Sequence, residues 1–68
     1  MDIQNIIKEI FNEEKEIYST VEIGKKLGLS SQTVIKHITN GNLVAFRIGK
    51  VYRVAKYNLI EFLERNVL

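Results

Sequence analysis

The 68-residue sequence contains no cysteine, no proline and no tryptophan. Without cysteine there are no disulfide bonds and no thiolate metal sites, so stability has to come from packing or from association. The lack of cysteine also fits a cytoplasmic protein. No apolar run approaches the roughly 18 residues of a membrane-spanning helix, and the start of the chain, with Asp2 and no basic region, predicts no signal peptide. We expect one small cytoplasmic domain with no membrane contact.

The charge is distributed unevenly along the chain. Residues 1–18 carry five acids and two lysines, which gives −3, and residues 57–68 give −1. Residues 19–56 carry seven lysines or arginines and one acid, which gives +6. A basic block inside a nearly neutral chain indicates a polyanionic partner, although a solvated basic surface with no partner would show the same pattern.

The first segment, residues 2–16, is predicted to form an amphipathic helix. Its apolar residues recur at intervals of three and four, the spacing of one helix face, at Ile3, Ile6, Ile7, Ile10 and Phe11. This face either packs on the core of its own chain, which we favour, or pairs with a second copy. Residues 1–17 are therefore an N-terminal extension within a single domain that spans residues 1–68.

A second helix, residues 20–27, has well-marked ends. Ser19 and Glu22 have the spacing of a capping box, in which each side chain accepts a hydrogen bond from the backbone of the other. Gly28 provides the stop, because glycine readily adopts a positive φ. Gly24 costs about 0.5–1 kcal/mol relative to alanine inside a helix, which predicts that another helix passes close over it.

A third helix, residues 31–40, is predicted to contact DNA. Val34 and Ile38 lie four residues apart and form its buried pair. The opposite face has short hydrogen-bonding side chains near the helix start and a cation one turn later, which suits base edges and phosphates respectively. A solvated polar face would look similar, but the position after a short glycine-containing turn favours DNA. The predicted contacts are the N-cap Ser30 with Ser31, Gln32, Thr33, Lys36 and His37.

Residues 44–54 are predicted to form a β-hairpin, for which two loop lengths are open. A two-residue loop places Phe46 on the same face as Arg53. A three-residue loop, residues 49–51, pairs Arg47 with Arg53 and leaves one clean apolar face, and we favour it for that reason. Adjacent arginines repel each other unless an anion lies opposite them. The hairpin adds three predicted DNA-binding residues: Arg47, Lys50 and Arg53.

Six stretches of residues 18–63 resemble a known family: Ser19–Glu22, Leu27–Ser30, Gln32–Val34, Gly41–Gly49, Tyr52–Val54 and Leu59–Leu63. They are similar to the winged helix-turn-helix of excisionase-type and MerR-type DNA-binding domains. The resemblance implies that the helix from Ser31 enters the major groove and that the hairpin wing follows the backbone or the adjacent minor groove. Full MerR regulators continue into a coiled coil and an effector-sensing part that this chain lacks, so we expect no small-molecule effector.

The expected fold class is therefore mainly α with a small β-hairpin wing, a winged helix-turn-helix. Its predicted helices span residues 2–16, 20–27, 31–40 and 57–66, with the hairpin at 44–54.

The sequence shows no catalytic arrangement. The single histidine, His37, has neither a cysteine nor a second histidine as a metal partner, so we expect no enzyme, no metal and no cofactor. The first hypothesis is sequence-specific binding of double-stranded DNA by a nucleoid-associated transcription regulator or excisionase-like recombination accessory factor, acting as a dimer or cooperative multimer. The second is a protein-interaction module that docks through its N-terminal helix. RNA binding is weaker, because aromatics suited to base stacking are not interleaved with the basic residues.

Overall fold

The computed structural model describes residues 3–12 and 14–67. Within that part the chain is mostly helical with one small three-stranded antiparallel sheet, the architecture of a winged helix-turn-helix. The sheet order is β1-β3-β2. The elements are α1 (Ile3–Ile10), β1 (Ile17–Ser19), α2 (Thr20–Leu27), α3 (Ser31–Thr39), β2 (Phe46–Ile48), β3 (Val51–Ala55) and α4 (Lys56–Val67).

Helix α1 is shorter than predicted, since it ends at Ile10 instead of residue 16, and the predicted start at Asp2 lies outside the described residues. Carboxylates are unfavourable at the negative C-terminal end of a helix, where Glu14 and Glu16 would have lain. The chain instead forms strand β1, which pairs with β3 and places Tyr18 in the core. The sequence pattern does not predict this strand, because three residues are too few to show an alternation.

The apolar face of α1 packs on its own chain. Ile7 is 4% exposed and Phe11, just past the helix, is 2% exposed. The Phe11 ring meets the Tyr18 ring edge to face, with centroids 5.3 Å apart. The ammonium group of Lys26 holds the end of the helix by donating a 2.9 Å hydrogen bond to the carbonyl of Ile10. The extension is therefore part of the domain's core.

The tight turn between α2 and α3 is fixed by local chemistry, and the predicted ends of both helices are confirmed to within one residue. Ser19 and Glu22 form the expected capping box, with hydrogen bonds of 3.0 and 3.1 Å. Gly28 ends α2 with φ 72°. A Cβ atom on Gly24 would lie 2.5 Å from the carbonyl oxygen of Leu29. The close neighbour of Gly24 is thus the backbone of the turn, and the prediction of a passing helix is wrong.

The favoured hairpin register is also wrong. The loop has two residues, and Ile48 pairs with Val51, Arg47 with Tyr52 and Phe46 with Arg53. Gly49 at the first loop position has φ 63°. The favoured two-residue hairpin turns need a positive φ at this position. The hairpin needs no clean apolar face of its own, because β1 pairs along the other side of β3. The two wing arginines consequently lie on opposite faces of the sheet.

The core lies between the inner face of the sheet and the four helices. Tyr18 and Val54, which pair across β1 and β3, are both fully buried there. The predicted final helix is confirmed and supplies three core residues from α4. The complete buried apolar set is Ile7, Phe11, Tyr18, Ile23, Val34, Leu43, Val54, Leu59, Phe62 and Leu63.

None of the helices among the described residues has both the length and the apolar character needed to cross a membrane.

Candidate nucleic-acid interface

Helix α3 turns one narrow face to solvent. Val34 is 2% exposed and anchors the opposite side, with Ile38 packed against the core. The exposed residues of the helix repeat at intervals of four and three and form what we term the contact line: Gln32, Lys36 and Thr39. At a rise of 1.5 Å per residue this line is about 10 Å long, which is roughly three base-pair steps of B-DNA.

Two of the three hydroxyl residues at the start of α3, Ser30 and Thr33, contact each other. The Ser30 hydroxyl oxygen accepts a 3.2 Å hydrogen bond from the backbone N–H of Thr33, the N-cap interaction that the sequence predicts. The two side-chain oxygens, Ser30 Oγ and Thr33 Oγ1, also lie 2.9 Å apart. Ser31 between them is half-buried. Ser30 and Thr33 therefore fix the helix start.

His37 lies towards the core side of α3. Its half-buried ring contacts the Phe62 ring edge to face, with centroids 5.2 Å apart. The side-chain nitrogen of Asn42 lies 3.4 Å from His37 Nδ1. The structure thus separates His37 from the contact line, although the sequence places it next to Lys36.

The wing, residues 46–55, presents its two arginines differently. Arg47 is exposed and its guanidinium lies 5.4 Å from the centre of the Tyr52 ring. Arg53 is half-buried on the other face, and its guanidinium donates a 3.0 Å hydrogen bond to the carbonyl of Tyr52. Lys50 is exposed in the turn at the tip. The favoured three-residue loop pairs Arg47 with Arg53, so it does not predict the contact between Arg47 and Tyr52.

Comparison with known proteins gives the same assignment as the fold. A family described as a helix-turn-helix domain matches residues 17–67. The chain belongs to this helix-turn-helix family. The match covers every element from β1 onwards and leaves only α1 outside.

Two relatives of this helix-turn-helix domain are magnetosome proteins. The magnetosome protein MamR of Paramagnetospirillum magneticum is 32% identical over 63 residues, covering 88% of this chain and 75% of that protein. The magnetosome protein MamR of Magnetospirillum gryphiswaldense is 30% identical over 63 residues, with the same coverage. No solved structure matches the chain.

A helix-turn-helix domain is a DNA-binding unit, and its second helix is the one that enters the major groove. The second helix of the motif in this chain is α3, which carries the contact line. Of the seven cations in residues 19–56, four are exposed: Lys25, Lys36, Arg47 and Lys50. Lys25, on α2, is the exposed cation of this group that lies outside α3 and the wing.

The described residues contain no group of three or more histidine, cysteine, aspartate or glutamate side chains that could hold a metal ion. The acid of the basic block, Glu22, is itself engaged, since it completes the capping box and forms an ion pair with Lys15.

Proposed function

We propose that this helix-turn-helix domain binds double-stranded DNA sequence-specifically, with α3 in the major groove and the wing along the backbone or adjacent minor groove. The observation that carries the proposal is the exposed contact line on the second helix of the helix-turn-helix, directly opposite the buried Val34. A polar line with a cation on an otherwise anchored helix suits a groove lined with base edges and phosphates.

The biological role that fits such a domain is that of a small transcription regulator or an excisionase-like recombination accessory factor, working on DNA in the cytoplasm. Both roles use the same groove-reading chemistry. The family match supports DNA binding and is compatible with either role.

Salt dependence tests the proposal directly. If each of the four exposed cations neutralises one phosphate, affinity for a duplex should fall roughly a hundredfold between 50 and 200 mM salt. Replacing the exposed Lys36 by alanine should lower the slope of log K against log salt by about one. Lys8→Ala on α1, also exposed and outside the basic block, is the matched control and should leave the slope unchanged. An affinity for duplex DNA that does not respond to salt would contradict the proposal.

We further propose that more than one copy binds together on DNA. A single module of this size buries only about 600–1,000 Å² of protein surface on DNA, which gives limited affinity by itself. The outer face of the sheet favours contact between copies, because it leaves four large apolar side chains between 39% and 65% exposed. This outer sheet face consists of Ile17, Phe46, Ile48 and Val51, with Arg53 among them.

The alternative function, docking on a larger protein through α1, is not favoured by the geometry. Of the apolar stripe that would make the contact, Ile7 and Phe11 are buried against the domain itself, and Ile6 and Ile10 are half-buried. Exposing Ile7 and Phe11 for a partner would open the core.

A further inference from the structure

We infer that Gln32 is the residue through which α3 selects a base, that this base is adenine, and that Lys36 supplies a phosphate contact carrying no sequence information. The inference rests on the proposed DNA binding and narrows it. Six residues of the helix and its cap are predicted to contact DNA. In the structure some of them already contact other parts of the protein, and others are exposed and free to contact DNA.

Three of the six are engaged inside the protein. Ser30 and Thr33 hydrogen-bond with each other in the N-cap. His37 packs on Phe62 and lies beside Asn42. Ser31 is half-buried and has a short side chain. Base reading by Ser30, Thr33 or His37 would have to compete with these contacts, and the short side chain of Ser31 reaches less far from the helix than that of Gln32.

Gln32 differs from all of them. It is exposed at the second position of the helix, and its amide makes no hydrogen bond to any residue within the described part of the chain. The amide has both a donor and an acceptor, and it lies on a helix that Val34 and the Ser30 cap hold in place. A free amide on a fixed backbone can make the paired hydrogen bonds that define direct readout.

The chemistry of the amide selects the base. In the major groove adenine presents a donor at N6 beside an acceptor at N7, which a glutamine matches with its oxygen and nitrogen. Guanine presents two acceptors, N7 and O6, which suit arginine or lysine better. Adenine is thus the base that uses both halves of the Gln32 side chain.

Lys36 lies one turn after Gln32 on the same line, and an ammonium on a long flexible stem acts as a point charge. It lies one turn further from the N-terminal end of the helix, the end whose residues reach base edges, so we assign it to a phosphate, where its three donors carry no sequence information. Replacing Gln32 is therefore expected to change the base preference, whereas replacing Lys36 is expected to change the overall affinity.

The test begins with selection of bound duplexes from a random pool by the full chain, followed by the same selection with Gln32→Ala and Lys36→Ala. Gln32→Ala should lose the preference for adenine at one position and keep the others. Gln32→Glu should shift that position towards cytosine, because a carboxylate accepts from cytosine N4. Lys36→Ala should weaken binding to all sequences about equally. Thermal unfolding of each variant shows that the exposed substitutions leave the fold intact.

A modified base gives a second readout on the selected site. Replacing the adenine by 7-deazaadenine removes N7 and should weaken binding of the unaltered protein roughly two- to tenfold, the value of one of the two hydrogen bonds of the pair. Gln32→Ala should bind both duplexes equally. The inference is overturned if Gln32→Ala keeps every base preference, or if the base it affects is not adenine. A protein that selects no sequence at all would overturn the proposed function as well.

Discussion

Arg47 and Tyr52 face each other across the two strands of the wing, and the guanidinium of Arg47 lies 5.4 Å from the centre of the Tyr52 ring. A cation over an aromatic face is attracted to it, by about 0.5–1 kcal/mol at an exposed site. The platform restricts the long arginine side chain while leaving its charge in solvent. Arg53, on the other face of the sheet, instead donates to the Tyr52 carbonyl. Arg47 thus extends its charge into solvent, whereas the guanidinium of Arg53 is hydrogen-bonded to the backbone of its own strand.

This difference predicts unequal effects of removing the two arginines. Arg47→Ala should lower affinity for duplex DNA roughly tenfold, the value of one charged hydrogen bond, and reduce the salt slope by about one. Arg53→Ala is the matched control and should change affinity less. Fluorescence anisotropy titrations with a labelled duplex measure both quantities. A larger loss from Arg53→Ala would show that the DNA meets the opposite face of the wing.

The close approach at Gly24 predicts a loss of stability when a methyl group is added. Helix propensity alone would make Gly24→Ala stabilising by about 1 kcal/mol. However, the new Cβ would lie 2.5 Å from the backbone oxygen of Leu29, so the turn has to move. We expect a net destabilisation of about 1–3 kcal/mol in urea unfolding. The exposed neighbour Lys25, changed to alanine, should stay within about 0.5 kcal/mol, and a stabilised Gly24→Ala variant would refute the close contact.

The features that the sequence predicts correctly are those fixed by residues close together in the chain. The helix ends at Ser19, Gly28 and Ser30 follow from capping interactions that span at most four residues, and such patterns can be read directly. The hairpin register depends on a partner far away in sequence, since Val54 pairs with Tyr18 of a strand that the pattern does not show. The hairpin residues alone therefore do not reveal that β3 also pairs with β1.

In the candidate site, too, some side-chain directions follow from nearby residues and others depend on residues far away in the sequence. The outward direction of Gln32 and Lys36 follows from the helical period once Val34 is taken as buried. The inward direction of His37 depends on Phe62, which belongs to α4. Likewise, a glycine inside a helix indicates that another group lies close to it but does not identify that group, which at Gly24 is the backbone of Leu29.

Ser30 allows the N-cap to be separated from DNA contact. Ser30→Ala removes the acceptor for the Thr33 backbone N–H and should cost about 1 kcal/mol of stability. Ser30→Asp keeps a good cap and should stay within about 0.5 kcal/mol of the unaltered protein. However, the added carboxylate lies at the helix start that is proposed to face the duplex. We expect Ser30→Asp to unfold normally in urea and to bind DNA roughly tenfold more weakly. Full affinity in Ser30→Asp would mean that the helix start does not approach the phosphates.

The packing of Phe11 predicts that the N-terminal extension is needed for folding, although it lies outside the family match. Phe11→Ala removes a 2% exposed ring that contacts Tyr18, and such changes cost about 3–5 kcal/mol. A domain of 68 residues has only roughly 3–10 kcal/mol in total. Circular dichroism should therefore show a largely unfolded or strongly destabilised variant. Lys8→Ala, exposed on α1, is the control, and equal stability of the two variants would show that the extension is dispensable.

The outer sheet face predicts cooperative binding that depends on Ile48. This side chain is 65% exposed, so Ile48→Ser removes little packing and should change stability by less than about 0.5 kcal/mol. A stable interface needs roughly 800 Å² from each partner, about a sixth of the 4755 Å² surface of the chain, which four side chains do not provide. Copies should therefore associate only when DNA holds them close, where the effective concentration is high.

The measurement for Ile48→Ser compares duplexes carrying one and two copies of the selected site. The variant should bind the single site like the unaltered protein and lose the extra affinity on the double site. Tyr57→Ser, an even more exposed side chain on α4, is the matched control and should retain it. Cooperativity that survives in Ile48→Ser would exclude the outer sheet face as the contact between copies. Cooperativity lost in both variants would assign the contact to a wider surface than the sheet.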